Sequence, residues 1–150
     1  MDDVSVFRLY ILRATYLLVA VGVGTMIWPL LLDAPENAEH FRGVTWCLLS
    51  SVALLALLGL RYPLKMLPLL LFELIWKATW VMTIGLPVRS AGLLEGAFRE
   101  TWFANVMGLV IFSLAIPWGY VVRTYIREAG DRWSSSRASA GTVAPDVRPT

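Results

Sequence analysis

Segment 72–80, FELIWKATW, places a glutamate, a lysine and two tryptophans within a long apolar stretch. Glu73 and Lys77 are four residues apart with the acid first, which is the favourable order for an ion pair on a helix. Trp76 and Trp80 have the same spacing, so all four side chains form one stripe on a helical face. A carboxyl group in an apolar setting can donate a proton or anchor a ligand, and tryptophan ring faces attract cations.

The two charges are costly if this segment crosses a bilayer. An acidic or basic side chain at the centre of the hydrocarbon costs about 2.5–3.5 kcal/mol on insertion scales. If the helix begins at Pro63, Glu73 lies about 15 Å along its axis, near mid-bilayer. We expect the stripe to face the interior of a helix bundle, because lipid offers it no partner. Two interpretations stay open. Either the charges neutralise each other and fix helix packing, or the stripe lines a pocket for a lipophilic ligand, with Glu73 as proton donor or anchor.

Other polar side chains occur at comparable depth in the neighbouring apolar segments. Ser50 and Ser51 lie in one of these segments, and Asn105 and Ser113 lie in another. Buried polar groups need hydrogen-bond partners. We therefore expect these four side chains to be the partners of the charged pair.

The composition indicates the class of protein. Of the 150 residues, 57% are hydrophobic and 16% are charged, and the mean hydropathy is +0.64; a soluble domain has about 45–50% apolar and about 25% charged residues. One cysteine, Cys47, and one histidine, His40, are too few for an intrachain disulfide or a His/Cys metal cluster. A net charge of +2 does not suggest nucleic-acid binding. We predict an integral membrane protein with no metal, no cofactor and no nucleic-acid partner.

Four apolar blocks are each long enough to cross a bilayer, which takes about 20 helical residues. We predict spans at about 9–32, 43–60, 63–86 and 102–122. The connections are short, so neighbouring helices must run antiparallel. The predicted fold class is all-α, an integral membrane four-helix up-down-up-down bundle over residues 1–129. Residues 130–150 are rich in Ser, Gly, Pro and Ala and are predicted to be a disordered cytoplasmic tail.

Lysine and arginine residues indicate the orientation of the bundle. They are more numerous at the end that carries the termini, so both termini are expected in the cytoplasm. The expected localisation is the cell inner (plasma) membrane, with several spans. Pro68 and Pro117 remove backbone donors and are expected to kink the third and fourth helices. Two pairs of small residues spaced by four, one of them Ala104/Gly108, would let helix backbones approach closely.

One segment carries a family resemblance. Residues 59–80, GLRYPLKMLPLLLFELIWKATW, together with GDRW at 130–133, resemble a family of small bacterial four-span membrane proteins with no assigned activity. The four-span layout is also similar to the DoxX-like superfamily. That superfamily includes a quinol oxidase subunit, so this second resemblance implies proximity to quinone chemistry. No motif in the chain carries over a quinone site residue by residue.

These observations favour a protein that acts by binding or association in the lipid bilayer. Its partner would be another membrane protein, a second copy of the chain or a lipophilic small molecule. The alternative is a membrane-embedded isomerase or cyclase, or a quinone- or isoprenoid-binding protein, that uses Glu73 in an intramembrane pocket. In the enzyme interpretation Glu73 would protonate an alkene, and Trp76 and Trp80 would stabilise the resulting cation. The enzyme interpretation requires an enclosed apolar pocket beside Glu73, and association requires an exposed face of small residues.

Overall fold

The computed structural model describes residues 4–33 and 40–128. Within these residues the chain forms helices and no strands. The elements are α1 (Val6–Leu32), α2 (His40–Arg61), α3 (Leu67–Trp80), a π-helical segment (Val81–Gly85), α4 (Leu86–Ser90), α5 (Gly96–Ala115), α6 (Trp118–Val122) and a second π-helical segment (Arg123–Arg127). The predicted tail, residues 130–150, lies outside the described residues.

Three of the helical stretches are long and apolar enough to cross a membrane. They are Val6–Leu32, Phe41–Arg61 and Leu67–Ser90. A fourth candidate is broken: Gly96–Ala115 and Trp118–Arg127 are bent by 73° relative to each other. By length and composition, the described residues therefore hold three candidate spans, or four if the bent pair counts as one. The predictions of an all-helical fold and of a multi-pass membrane protein are confirmed at this level.

Helices α1 and α2 pack along each other as an antiparallel hairpin. Near the start of α1, Arg13 Nε donates to the carbonyl oxygen of Leu60 at 3.1 Å. The Tyr16 hydroxyl donates to the carbonyl oxygen of Pro63 at 3.0 Å, just beyond the end of α2. The Tyr16 ring lies directly against Gly59, where an added Cβ would be 2.3 Å from a ring carbon. These contacts hold the start of α1 against the end of α2. They leave no space for a residue larger than glycine at position 59.

The second antiparallel hairpin consists of α3 and α5, and the two hairpins meet around one apolar core. This core includes Leu12, Tyr16, Val19, Val52, Ala56, Leu67, Leu70, Phe112 and Ile116. Large apolar side chains are also exposed on all the long helices. Exposure of this extent suits lipid contact, because a soluble surface rarely carries such continuous apolar area. The core therefore fixes α3 between its neighbours while the outer faces remain apolar.

Helix α3 differs from the prediction at its start. Residues 63–66 form turns, and the helix begins at Leu67 instead of Pro63. Pro68 thus lies in the first helical turn, where its missing N–H leaves no helical hydrogen bond unmade. The predicted kink at Pro68 is therefore wrong. Glu73 lies six residues from the start of the helix, about 9 Å along the axis.

The fourth apolar block contains a complete break at Pro117. Ile116 is extended, with φ −66° and ψ 125°, and a 73° bend separates α5 from α6. The prediction of a kink at Pro117 is confirmed, although α5 begins at Gly96, before the predicted span. Pro117 cannot donate to the carbonyl oxygen of Ser113 one turn earlier. The Trp118 indole N–H donates to that oxygen instead, at 2.8 Å, which stabilises the break.

Candidate functional site

The ion pair predicted from the spacing in α3 is present. Lys77 Nζ donates to Glu73 Oε2 across one helical turn. Glu73 is only 1% exposed and Lys77 is 9% exposed. Both side chains are therefore buried within the helix bundle. A pair within one helix needs no other element to bring its partners together.

The lysine is further enclosed by aromatic rings and by a glycine. Its Nζ lies 4.0 Å from the centre of the Trp76 ring and 5.2 Å from that of Phe112 on α5. Both rings are within the range of a cation–π attraction. The lysine stem rests on Gly108, where an added Cβ would be 2.8 Å from Lys77 Cε. The absence of a side chain at 108 thus lets α5 come close enough to cover the charge.

Three buried polar atoms near the stripe have no hydrogen-bond partner within the described residues. They are Glu73 Oε1, Trp76 Nε1 and Asn105 Nδ2. An unsatisfied buried donor or acceptor costs about 1–3 kcal/mol, more if charged. The pairing with Lys77 satisfies one oxygen of the carboxylate and leaves the other able to accept a hydrogen bond.

A groove of about 180 Å³ between α1 and α5 reaches the charged pair. Glu73 and Lys77 line it together with residues of α1 and α5. Gly22 on α1, and Ala104 and Met107 on α5, line its walls and are exposed at the surface of the bundle. The groove therefore opens sideways, toward the region that lipid chains occupy, and presents an apolar wall to whatever enters.

The predicted serine partners are not at the site. Ser50 and Ser51 donate to the carbonyl oxygen of Cys47, at 2.9 and 2.8 Å. Ser113 is exposed, and its carbonyl oxygen accepts the indole N–H of Trp118. The prediction that these serines hydrogen-bond to the charged pair is wrong. Ser50 and Ser51 are satisfied on the preceding turn of α2, as serines in helices can be, and Ser113 lies on an exposed face of α5.

Asn105 on α5 and the two tryptophans of the stripe complete the set of predicted site residues. Asn105 is buried, but its amide nitrogen has no partner among the described residues. Trp76 and Trp80 are half-buried. Trp80 and Trp102 both approach Gly85, where an added Cβ would be 3.0 and 2.6 Å from their rings. Trp80 thus packs at the far end of the helix pair.

Sequence reasoning missed two residues that surround the lysine and one that lines the groove. Gly108 had a signal, because it belongs to the Ala104/Gly108 pair, but this pair indicated only close packing. Phe112 lies one turn after Gly108 on the same face of α5, so the helical period that predicts close packing at Gly108 also predicts that Phe112 faces the same neighbour. No sequence pattern distinguished Gly22 from the other small residues of α1. It lines the groove only because α1 packs beside α5.

The fold and the site together define a multi-pass helical membrane protein with a buried ion pair beside a lateral groove. No cluster of three or more potential metal ligands occurs among residues 4–33 and 40–128. No family model matches the chain, and no curated protein or solved structure is significantly similar to it. The functional conclusion therefore depends on the geometry of this site.

Proposed function

We propose that this chain is a four-span inner-membrane protein that binds a lipid-soluble molecule in the groove between α1 and α5. The observation that carries the proposal is the second oxygen of Glu73. This carboxylate is almost fully buried, lines the groove, and has one oxygen without a partner in the described residues. A ligand with a hydroxyl or other donor group would satisfy that oxygen, and its apolar body would lie along the groove.

The geometry gives more support to binding than to isomerase or cyclase chemistry. Glu73 accepts a hydrogen bond from Lys77, so it is better arranged as a fixed acceptor than as the donor of a proton to an alkene. The Trp76 ring already has the lysine ammonium beside it at 4.0 Å, which leaves that ring less suited to a substrate cation. The groove is also open at the side instead of enclosed, which suits the entry of a molecule from the bilayer.

Association with another helix is the second candidate. Gly22, Ala104 and Gly108 give the groove small walls on both sides, and small residues let a further helix approach closely. The occupant would then be a second copy of the chain or a partner protein. A helix would need a longer strip of small residues than these three provide, so a slender lipophilic molecule fits the groove better.

The proposal also includes the orientation of the bundle in the membrane and the family that the chain resembles. At the end of the bundle where α1 begins, the described residues include six basic side chains and one acidic side chain, Glu128. By the positive-inside rule, this excess of basic side chains supports a cytoplasmic location for both termini. The resemblance of residues 59–80 to small bacterial four-span proteins, and of the layout to the DoxX-like superfamily, agrees with a bacterial inner membrane.

A side chain added at Gly22 tests ligand binding. A Cβ at this position meets no atom within 4 Å, so Gly22→Leu fills the groove without disturbing the packing. Ala14→Leu is the matched control, because Ala14 is also exposed on α1 but does not line the groove. The measurement is mass spectrometry of the lipophilic molecules that co-purify with each protein in mild detergent.

We expect wild type and Ala14→Leu to retain the same donor-bearing molecule and Gly22→Leu to lose it. Identical extracts from all three proteins would contradict the proposal. Cross-linking of the same samples distinguishes the second candidate: loss of a dimer in Gly22→Leu, with no change in the extract, would identify the groove as a helix-association site.

A further inference from the structure

A second cavity lies at the end of the bundle where α1 begins, well away from the charged pair. It has a volume of about 350 Å³ and lies between the first turn of α1 and helix α6. Its lining includes Ser5, Arg8, Pro117, Gly119, Tyr120 and Arg123. From Arg8 to Gly22 is fourteen residues, or about 21 Å of helix, so this cleft and the Glu73 groove are separate sites.

The break at Pro117 creates the cleft. Because the chain bends by 73°, α6 and the π-helical segment after it turn away from the axis of α5. If α5 crosses the bilayer, the segment Trp118–Arg127 lies closer to the membrane plane than to its normal. Trp118 and Ile126 are exposed on this segment, and tryptophan prefers the level of the lipid headgroups. The cleft therefore lies at the depth where lipid phosphates are found.

Two arginine side chains line the cleft, one from each of the two segments that form it. Arg8 lies on its α1 side and Arg123 on its α6 side, and Arg127 follows one turn after Arg123. The Arg123 guanidinium is 5.9 Å from the centre of the Tyr120 ring, which positions it beside the cavity. Among the described residues that line the cleft there is no carboxylate. Arginine binds phosphate oxygens with two parallel hydrogen bonds, so two arginines across one cavity suit a phosphate group.

We propose that this cleft binds the phosphate group of an anionic phospholipid from the adjacent leaflet. Arg8 and Arg123 contact the phosphate oxygens from opposite sides, and the hydroxyl groups of Ser5 and Tyr120 add donors. The Ser5 oxygen accepts the backbone N–H of Arg8 at 3.3 Å, so its own proton is available to a ligand. The fatty-acid chains extend from the cleft along the exposed apolar faces of α1 and α5. Basic pockets at this level of a membrane protein commonly hold such headgroups.

The binding of defined lipids to the purified full-length protein tests this proposal. Protein in neutral detergent is titrated with phosphatidylglycerol, with phosphatidylcholine and with inorganic phosphate, and bound lipid is counted by native mass spectrometry. Phosphatidylglycerol is expected to bind at least about fivefold more tightly than phosphatidylcholine, because the choline ammonium of phosphatidylcholine offsets its phosphate charge beside the arginines, a difference of about one charge interaction. Inorganic phosphate at the same concentration is expected to leave the bound lipid in place.

Three variants separate the cleft from general attraction to positive charge. Arg8→Gln removes one phosphate contact and should weaken phosphatidylglycerol binding about fivefold. Gly119→Leu keeps every charge but fills the cavity, since an added Cβ at 119 meets no atom within 4 Å. Arg99→Gln is the matched control, because it removes one exposed arginine at the other end of the bundle. Circular dichroism checks that all three variants are helical.

The expected result is loss of phosphatidylglycerol preference in Arg8→Gln and Gly119→Leu and its retention in Arg99→Gln. Equal binding in Gly119→Leu and wild type would overturn the proposal, because charge alone would then explain the attraction. Equal weakening by Arg99→Gln would overturn it for the same reason. Displacement of the lipid by inorganic phosphate alone would overturn the assignment of the phosphate to a phospholipid.

Discussion

Replacing the Glu73–Lys77 pair one partner at a time and then together should give strongly non-additive effects on stability. In Lys77→Met, a carboxylate that is 1% exposed loses its partner, which costs about 3–5 kcal/mol. In Glu73→Met, the ammonium keeps its two aromatic neighbours and lies beside an open groove. Cation–π contact at a desolvated site is worth up to about 2 kcal/mol. We therefore expect a smaller loss for this variant, about 2–3 kcal/mol.

The double variant should be much more stable than the sum of the single changes predicts. It leaves neither charge, and replacing a whole buried ion pair by apolar groups is often neutral or stabilising. We expect a free energy of unfolding within about 1 kcal/mol of wild type, and so a coupling energy of about 4 kcal/mol or more. The assay is unfolding by SDS in mixed micelles, followed by tryptophan fluorescence.

A matched control is Ile75→Met on the same helix, at a side chain that is 63% exposed, and it should change stability little. The reasoning would be refuted if the two single effects added up within about 0.5 kcal/mol, the behaviour of independent sites. It would also be refuted if Glu73→Met were the more damaging single change. In that case the aromatic rings and the open groove would not stabilise the unpaired Lys77 ammonium.

Two further predictions concern topology and packing. In a Cys47→Ser background, Ala91→Cys should react with an impermeant maleimide applied to intact cells, whereas Lys65→Cys should react only after permeabilisation; the opposite pattern would reverse the proposed orientation. Gly59→Ala places a Cβ 2.3 Å from the Tyr16 ring and should lower the free energy of unfolding by about 1–3 kcal/mol, measured by the same SDS titration; an unchanged value would show that the ring can move aside.

The sequence predicts the spans and the helical fold class better than the residues at which individual helices begin and end. Hydropathy is a property of 20-residue stretches, so the spans and the helical class follow directly from it. The pairing of Glu73 with Lys77 was also predictable, because both partners lie on one helix and its period fixes their spacing. The break at Pro117 was predictable for a similar local reason, since a proline in the interior of a helix removes a backbone donor. Pro68 causes no break because it lies in the first turn of α3, where that donor is not used.

The errors arise where tertiary packing decides. Helix α3 begins at Leu67 instead of Pro63, and the carbonyl of Pro63 accepts a hydrogen bond from the hydroxyl of Tyr16, a contact across 47 residues that no local pattern encodes. The serines were expected at the charged pair from depth alone, but depth does not specify which way a side chain points around a helix. The groove depends on the distance between α1 and α5, and no local sequence pattern in either helix encodes that distance.

The placement of both charges on one helix has a consequence for biogenesis. The pair can form as soon as α3 is helical, before α5 has been synthesised, so we expect α3 to leave the translocon as an electrically neutral segment. It then needs no later helix to mask its charge during insertion. Gly108 and Phe112 arrive with the last span and cover the lysine only at that stage. A nascent chain ending at Ser90 should therefore insert in the membrane, but its groove would still lack the α5 wall.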